Sequence, residues 1–337
     1  MVSGATLVNR MGTMALPFLV LYLTQHLGYS PKSAGLVMTA YGVGGLVSSP
    51  LAGWLCDRVG ALRVMSTALF LSGVLYLLYP LLHEPEAVLA LTVLLAVVAE
   101  AVRPASLVAL TGAIAPEQRK AAIALNRLAV NLGMSVGPAV GGFLATASFP
   151  LLFMVDGTTS LLAGSILAAT LWRTGPRAQA ADAATIVAEA VLAPPLSAGV
   201  LRDGRMLVYL TGVFLIAVVF LQHEAALPLF LVRDLGLRES FYGLTFAVNT
   251  LLIVLLEVPL NLAMAHWPYR RALVLGALLV AAGFGGMALV AGPWGVMATV
   301  LIWTFGEMIF FPTSATYVAD MAPPARRGAY MGAYTMS

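Results

Sequence analysis

Ten apolar runs, each about 20 residues or longer, leave this chain few ways to fold. They lie near 4–26, 35–55, 62–82, 87–111, 122–145, 151–172, 206–232, 241–264, 271–291 and 294–321. A helix of roughly 20 mainly apolar residues crosses about 30 Å of hydrocarbon, so each run can span a bilayer. Backbone exposed to lipid must satisfy its own hydrogen bonds, which restricts spanning segments to helices and closed barrels. Barrel strands alternate polar and apolar residues. Leu89-Ala90-Leu91-Thr92-Val93-Leu94-Leu95 does not. The expected fold is therefore all-α and polytopic.

Composition agrees. The 337 residues are 60% hydrophobic and 10% charged, with mean hydropathy +0.93, whereas soluble domains are about a quarter charged. The formal charge of +3 invites a nucleic-acid reading, but the basic residues form no patch and sit in short gaps between apolar runs. No nucleic-acid partner is expected. With the N-terminus in the cytoplasm, thirteen Lys and Arg residues fall on the inner side, and only Lys32, Arg233 and Arg238 on the outer. That bias orients a multi-pass protein of a bacterial-type plasma (inner) membrane. The single Cys56 gives neither an internal disulfide nor metal-ligand spacing. The first apolar run follows Met1 directly and is too long for a signal core, so it reads as a span.

The longest gap, 173–205, contains Pro194-Pro195 and separates an N-terminal six-helix bundle (1–172) from a C-terminal bundle (206–337). Its middle, 178–192, reads as a solvated linker or a surface helix. Shifting the sequence by 208 residues superposes its punctuation: Gly28 on Gly236, Arg63 on Arg271, Pro104 on Pro312, Ser106 on Ser314 and Arg119 on Arg327. Two parallel six-helix halves follow from such a repeat. Helices five and six then have no counterparts before Ser337. Either helices eleven and twelve are missing from an incomplete chain, or the protein has ten helices.

Gly53-Trp54-Leu55-Cys56-Asp57-Arg58-Val59-Gly60-Ala61-Leu62-Arg63 resembles the loop 2–3 motif of the major facilitator superfamily. Cys56 and Ala61 depart from the usual small and basic residues. The resemblance implies a cytoplasmic gate built from Gly53, Asp57, Arg58, Gly60, Arg63 and Arg119, with the Asp and Arg residues in a charge network. Pro116-Glu117-Gln118-Arg119 is similar to that family's loop 4–5 motif, and Ala322-Pro323-Pro324-Ala325-Arg326-Arg327-Gly328 echoes it. Gly133, Gly137, Pro138, Gly141 and Gly142 complete the pattern GxxxGPxxGG typical of the drug/proton antiporter branch. Small residues four apart let helices pack closely in lipid, and proline loosens a turn, so this run reads as a pliable hinge. The branch usually carries an Arg where Val93 stands; Arg103 is the substitute at hand.

Charges within spans are costly and tend to mark pathways. Arg10 lies beside Asn9 in the first helix, and Glu100 and Arg103, three apart on one face, can pair as a structural or functional couple. Gln222, His223 and Glu224 precede Pro228; they read as a proton carrier or as a solvated polar end. Glu257 and Glu307 are lone acids in apolar surroundings, each a candidate coupling site. Asp156 and Asp320, near helix ends, read as interfacial. Tyr41, Phe246, Trp303 and Phe310 either line an apolar binding cavity or simply pack. His26, His83 and His266 form no metal site, and no cofactor is expected.

The resemblance implies alternating access between two bundles. The expected partners are protons, a small-molecule substrate and the lipid bilayer, with the protein acting as a monomer. Efflux of amphipathic compounds, uptake of a small metabolite and a truncated, non-transporting chain are the competing expectations. No GxxxxGK[ST] loop or hydrolase motif is present, so neither ATP drive nor an enzyme is expected.

Overall fold

The computed structural model describes residues 2–112, 119–174, 203–323, 330–331 and 333–334. Among them are ten helices long and apolar enough to cross a membrane, and no strand. They are α1 (Val2–His26), α2 (Pro31–Val59), α3 (Ala61–Leu81), α4 (Pro85–Leu110) and α5 (Arg119–Ala147). There follow α6 (Phe149–Thr174), α7 (Gly204–Ala225), α8 (Glu239–Ala263), α9 (Tyr269–Leu289) and α10 (Pro293–Met321). Pro116-Glu117-Gln118, the linker segment 178–192 and most of the echo motif at 322–328 lie outside the described residues.

Local chemistry sets the ends and breaks of these helices. Ser30 Oγ accepts from Ser33 N–H at 3.1 Å, and Pro31 occupies the first turn of α2, where a missing donor costs nothing. Gly60, at φ +91°, is the whole connection between α2 and α3; residues with a Cβ rarely adopt that angle. Internal prolines explain the interruptions, because each removes the donor for the carbonyl four residues earlier and crowds it. Pro17 lies four after Thr13, and α1 breaks between Met11 and Ala15. Pro104 lies four after Glu100, and α4 is interrupted at Ala101. Pro312 likewise frees the Met308 carbonyl, but Asn261 Nδ2 donates to it at 3.2 Å and α10 runs on unbroken.

The 208-residue repeat is written into backbone geometry. A π-helical turn at Tyr22–His26 recurs at Phe230–Asp234, and a 3-10 turn at Tyr79–Leu81 recurs at Met287–Leu289. Gly28 (φ +70°) matches Gly236 (φ +65°). The starts of α2, α3 and α4 match those of α8, α9 and α10 residue for residue at the same offset.

Two compact units emerge: residues 1–188 with 228–247, and residues 189–227 with 248–337. In the first, α3 packs along α6, α1 along α5 and α2 along α4. Gly73 and Gly157 let α3 and α6 touch, since a Cβ on either would stand 2.9 Å from the other's carbonyl oxygen. Tyr22 and Tyr79 both pack on Phe153 with ring centroids 4.7 Å away. In the second, α9 lies along α10, and Trp303 anchors an aromatic group with Phe220 and Phe284. Outward positions stay apolar: Phe143 is 68% exposed and Leu262 70%. Side chains of this kind need a lipid environment rather than water.

Candidate functional site

In the first unit the break in α1 organises a polar cavity of about 40 Å³. Arg10, Tyr41, Tyr76, Glu100 and Asp156 line it, together with Asn9 and Ser160. Thr13 N–H turns back to the Arg10 carbonyl at 3.1 Å, and the amides of Met14 and Ala15 start the second half of α1. Both donate to one carboxylate: Met14 N to Asp156 Oδ1 and Ala15 N to Asp156 Oδ2, each at 2.9 Å. Asn9 Nδ2 donates to Ser160 Oγ at 3.0 Å, so α6 holds both sides of the break.

Asp156 is therefore not interfacial: it is 2% exposed. Its place near the start of the apolar run 151–172 gave no hint of this. The available signal was Pro17, whose effect on α1 leaves nearby amides in need of an acceptor. Glu100 also departs from expectation. Its Oε1 accepts from Tyr41 O–H at 2.9 Å, while Arg103 is exposed, and among the described residues no ion pair joins the two. The interruption at Ala101 removes the continuous helical face on which a three-residue spacing brings side chains together.

The second unit holds its own carboxyl arrangement. Asn249 Nδ2 donates to Glu307 Oε2 at 2.8 Å and to Thr304 Oγ1 at 3.1 Å. Glu257 lies near enough to Glu307 for the two to interact electrostatically, and Asn261 Nδ2 donates to the Glu257 carbonyl at 2.8 Å. Tyr41 and Asn249 are 208 residues apart, and each binds a glutamate on the fourth helix of its repeat. Gln222 is exposed and turned onto the Val218 carbonyl. His223 Nδ1 lies 2.7 Å from the Phe220 carbonyl, and its Nε2 is 3.7 Å from Glu224. Asp320 is exposed and accepts from the Tyr269 hydroxyl. Trp303, Phe310 and Phe246 are buried in packing contacts, whereas Tyr41 faces the polar cavity.

The glycine motifs differ in what surrounds them. Asp57 and Arg58 are exposed; Arg58 stacks 4.2 Å from the Trp54 ring, and no ion pair to Asp57 occurs among the described residues. Gly53 faces open space, and Arg63 is exposed. Arg119 begins α5, with its side chain outside the described residues. The α5 run is tightly enclosed. A Cβ on Gly133 would collide with Arg10, and one on Gly137 would meet the carbonyl oxygens of Thr13, Arg10 and Met11 at 2.9, 3.0 and 3.1 Å. Gly141 meets Met14 in the same way, and Gly142 abuts Glu239 and Ser240 at the start of α8. Pro138 offers its carbonyl beside Gly243. Gly133, Gly137 and Gly141 thus lie along the α1 break, and Pro138 and Gly142 lie against the start of α8.

Comparison with known proteins places these features in context. The family model for the Major Facilitator Superfamily matches residues 2–337. The MFS-type transporter YqjV of Bacillus subtilis (strain 168) is 24% identical over 336 residues, covering 98% of this chain and 80% of its own. A Na(+), Li(+), K(+)/H(+) antiporter of Planococcus maritimus is 23% identical over 371 residues, with 99% and 84% covered. The quinolone resistance protein NorA of Staphylococcus aureus is 27% identical over 151 residues, 44% of this chain and 38% of its own. Among solved structures, an inward-facing bacterial homolog of the human lysosomal transporter Spinster has a TM-score of 0.75 at 16% identity, covering 99% of this chain and 77% of that one.

Proposed function

Because this chain belongs to the Major Facilitator Superfamily, and is thus a multi-span membrane transporter rather than an enzyme, we propose that it expels small amphipathic compounds in exchange for protons. One observation carries the proton part: each unit holds a carboxyl on the fourth helix of its repeat, bound by a side chain from the second. These pairs are Glu100 with Tyr41 and Glu307 with Asn249. A carboxyl inside a membrane span is expensive unless it serves an ion path, and a matched pair across a repeat is a poor accident of packing.

The first-unit cavity, at about 40 Å³, has room for a few water molecules and no organic substrate. Protons suit it. Export is supported by the GxxxGPxxGG run at 133–142 and by partial similarity to NorA; exchange is supported by similarity to the Planococcus maritimus antiporter.

In this reading the carrier is a monomer in a bacterial-type inner membrane, with its N-terminus in the cytoplasm. It works by alternating access. Gly53, Asp57, Arg58, Gly60, Arg63 and Arg119 form the cytoplasmic gate, while Gly133, Gly137, Pro138, Gly141 and Gly142 form the hinge. Arg10, Glu100, Glu257 and Glu307 belong to the coupling machinery; Arg103, Gln222 and Glu224 are secondary candidates.

The test is substrate flux in proteoliposomes carrying the full chain, driven by a pH gradient. Efflux against the proton gradient should be lost in Glu307→Gln and in Glu100→Gln, with binding of an amphipathic dye retained. Flux indifferent to the gradient, or unchanged in both variants, would end the proton-exchange reading. Substrate moving with the proton would identify symport instead.

A further inference from the structure

Asp156 has no part in the pairs above, yet it is the most enclosed carboxyl of the cavity and the only side chain bonded to both amides at the α1 break among the described residues. We propose that Asp156 is the proton-sensing latch of the first unit, and that its protonation unfastens the second half of α1 from α6. The clause about transport rests on the proton-exchange reading; the latch itself rests on the geometry alone.

The chemistry follows from the two bonds. As a carboxylate, Asp156 presents one acceptor oxygen to Met14 N–H and the other to Ala15 N–H. A proton delivered by a hydronium ion from the aqueous phase forms an O–H bond on one oxygen and leaves water behind. That oxygen becomes a donor and a poor acceptor, so one of the two amides loses its protein partner. The charge-assisted bond to the other weakens as well.

Charged and titratable groups face Asp156 from several helices. Arg10 lies on the α1 side of the cavity, Tyr76 faces Asp156 from α3, and Glu100 and Tyr41 share the cavity wall. No titratable side chain of α5 lines the cavity among the described residues. The cavity is large enough for water to carry the proton in.

Mechanical consequence comes from the neighbours of the break. Gly133, Gly137 and Gly141 of α5 sit against Arg10–Met14 with no room for a Cβ. Release of the Met14 and Ala15 amides from α6 therefore frees α1 to move along that smooth glycine face. The glycine run and the carboxylate are two sides of one joint: one permits the motion, the other controls it.

Hydrogen–deuterium exchange on the purified full chain tests this directly. Corrected for intrinsic pH dependence, exchange of the Met14 and Ala15 amides should quicken as pH falls. In Asp156→Asn it should be at least about tenfold faster at neutral pH and flat with pH, the loss expected for bonds to a charged acceptor. Asp156→Glu, which keeps the charge, should retain the pH profile, so the claim survives if the Asn variant does not fold. Protection that is flat with pH in the wild type, or pH-dependent to the same degree in Asp156→Asn, overturns the latch. Flux measured in parallel separates the two readings. Proton-driven flux with flat protection rejects the latch alone. PH-sensitive protection with gradient-independent flux rejects proton exchange and leaves the latch standing.

Discussion

Asn249 shows how much a single side chain can organise. It donates to both Glu307 and Thr304 from one amide, which orders the acid without neutralising it. Nothing in its local sequence, Ala247-Val248-Asn249-Thr250, marks it as a partner of a residue 58 positions later. Glu307 itself was legible, because an acid in an apolar run has few structural excuses. Asn249→Ala should reduce proton-driven flux about tenfold, as expected for losing a hydrogen bond to a charged group. Thr304→Val removes only the neutral contact, and should cost no more than about threefold. Equal effects of the two substitutions would show that Asn249 acts through packing. Glu100 teaches the converse: spacing suggested Arg103 as its partner, but spacing works only on an unbroken helix, and Pro104 breaks this one.

At the scale of the element, hydropathy located all ten spans because bilayer thickness fixes helix length. The edges at 204, 239, 269 and 293 fall within about two residues of the expected ones. The seventh, expected to reach 232, is helical as far as Asp234, with single-residue turns only at Leu221 and at Ala226, two residues before Pro228. The π and 3-10 turns were not legible, since they depend on where carbonyls find donors and not on residue type. The glycine run of α5 was legible as a close contact, though its partner was not. It meets α1 because the α1 break turns carbonyls outward there, and only a residue without a side chain tolerates them. Gly133→Ala should lower the unfolding midpoint in detergent, costing about 1–3 kcal/mol through forced displacement of Arg10. Gly35→Ala, in a helical position with open space around it, should be neutral or stabilising by up to about 1 kcal/mol. Comparable losses at both positions would mean that α5 is not constrained by α1.

At the scale of the whole molecule the repeat explains why two acids occupy matched helices, but it does not extend to how each unit is tied together. The first unit fastens α1 to α6 through Asp156. In the second, Asp203 caps α7 by accepting from the amides of Arg205 and Met206, and also accepts from Tyr330 O–H at 2.7 Å. Tyr330 and Ala333 thereby join the cluster of Met206, Val318 and Ala322. This tie bridges 127 residues and was invisible in sequence, because an Asp before a helix reads as an ordinary cap. The Tyr330 hydroxyl, followed by the two amides, holds the Asp203 carboxyl below the usual carboxylate range. A carboxyl with a lower pKa when folded binds its proton less readily in the native state than in the unfolded chain. Its stabilising contribution is then complete above the unfolded value of about 3.9 and disappears as pH falls through the folded value. Tyr330→Phe should accordingly lower the unfolding midpoint at neutral pH, with the gap to wild type closing as the pH drops below about 4. A gap that persists unchanged in acid would assign the effect of Tyr330 to its ring in the apolar cluster rather than to its bond with Asp203.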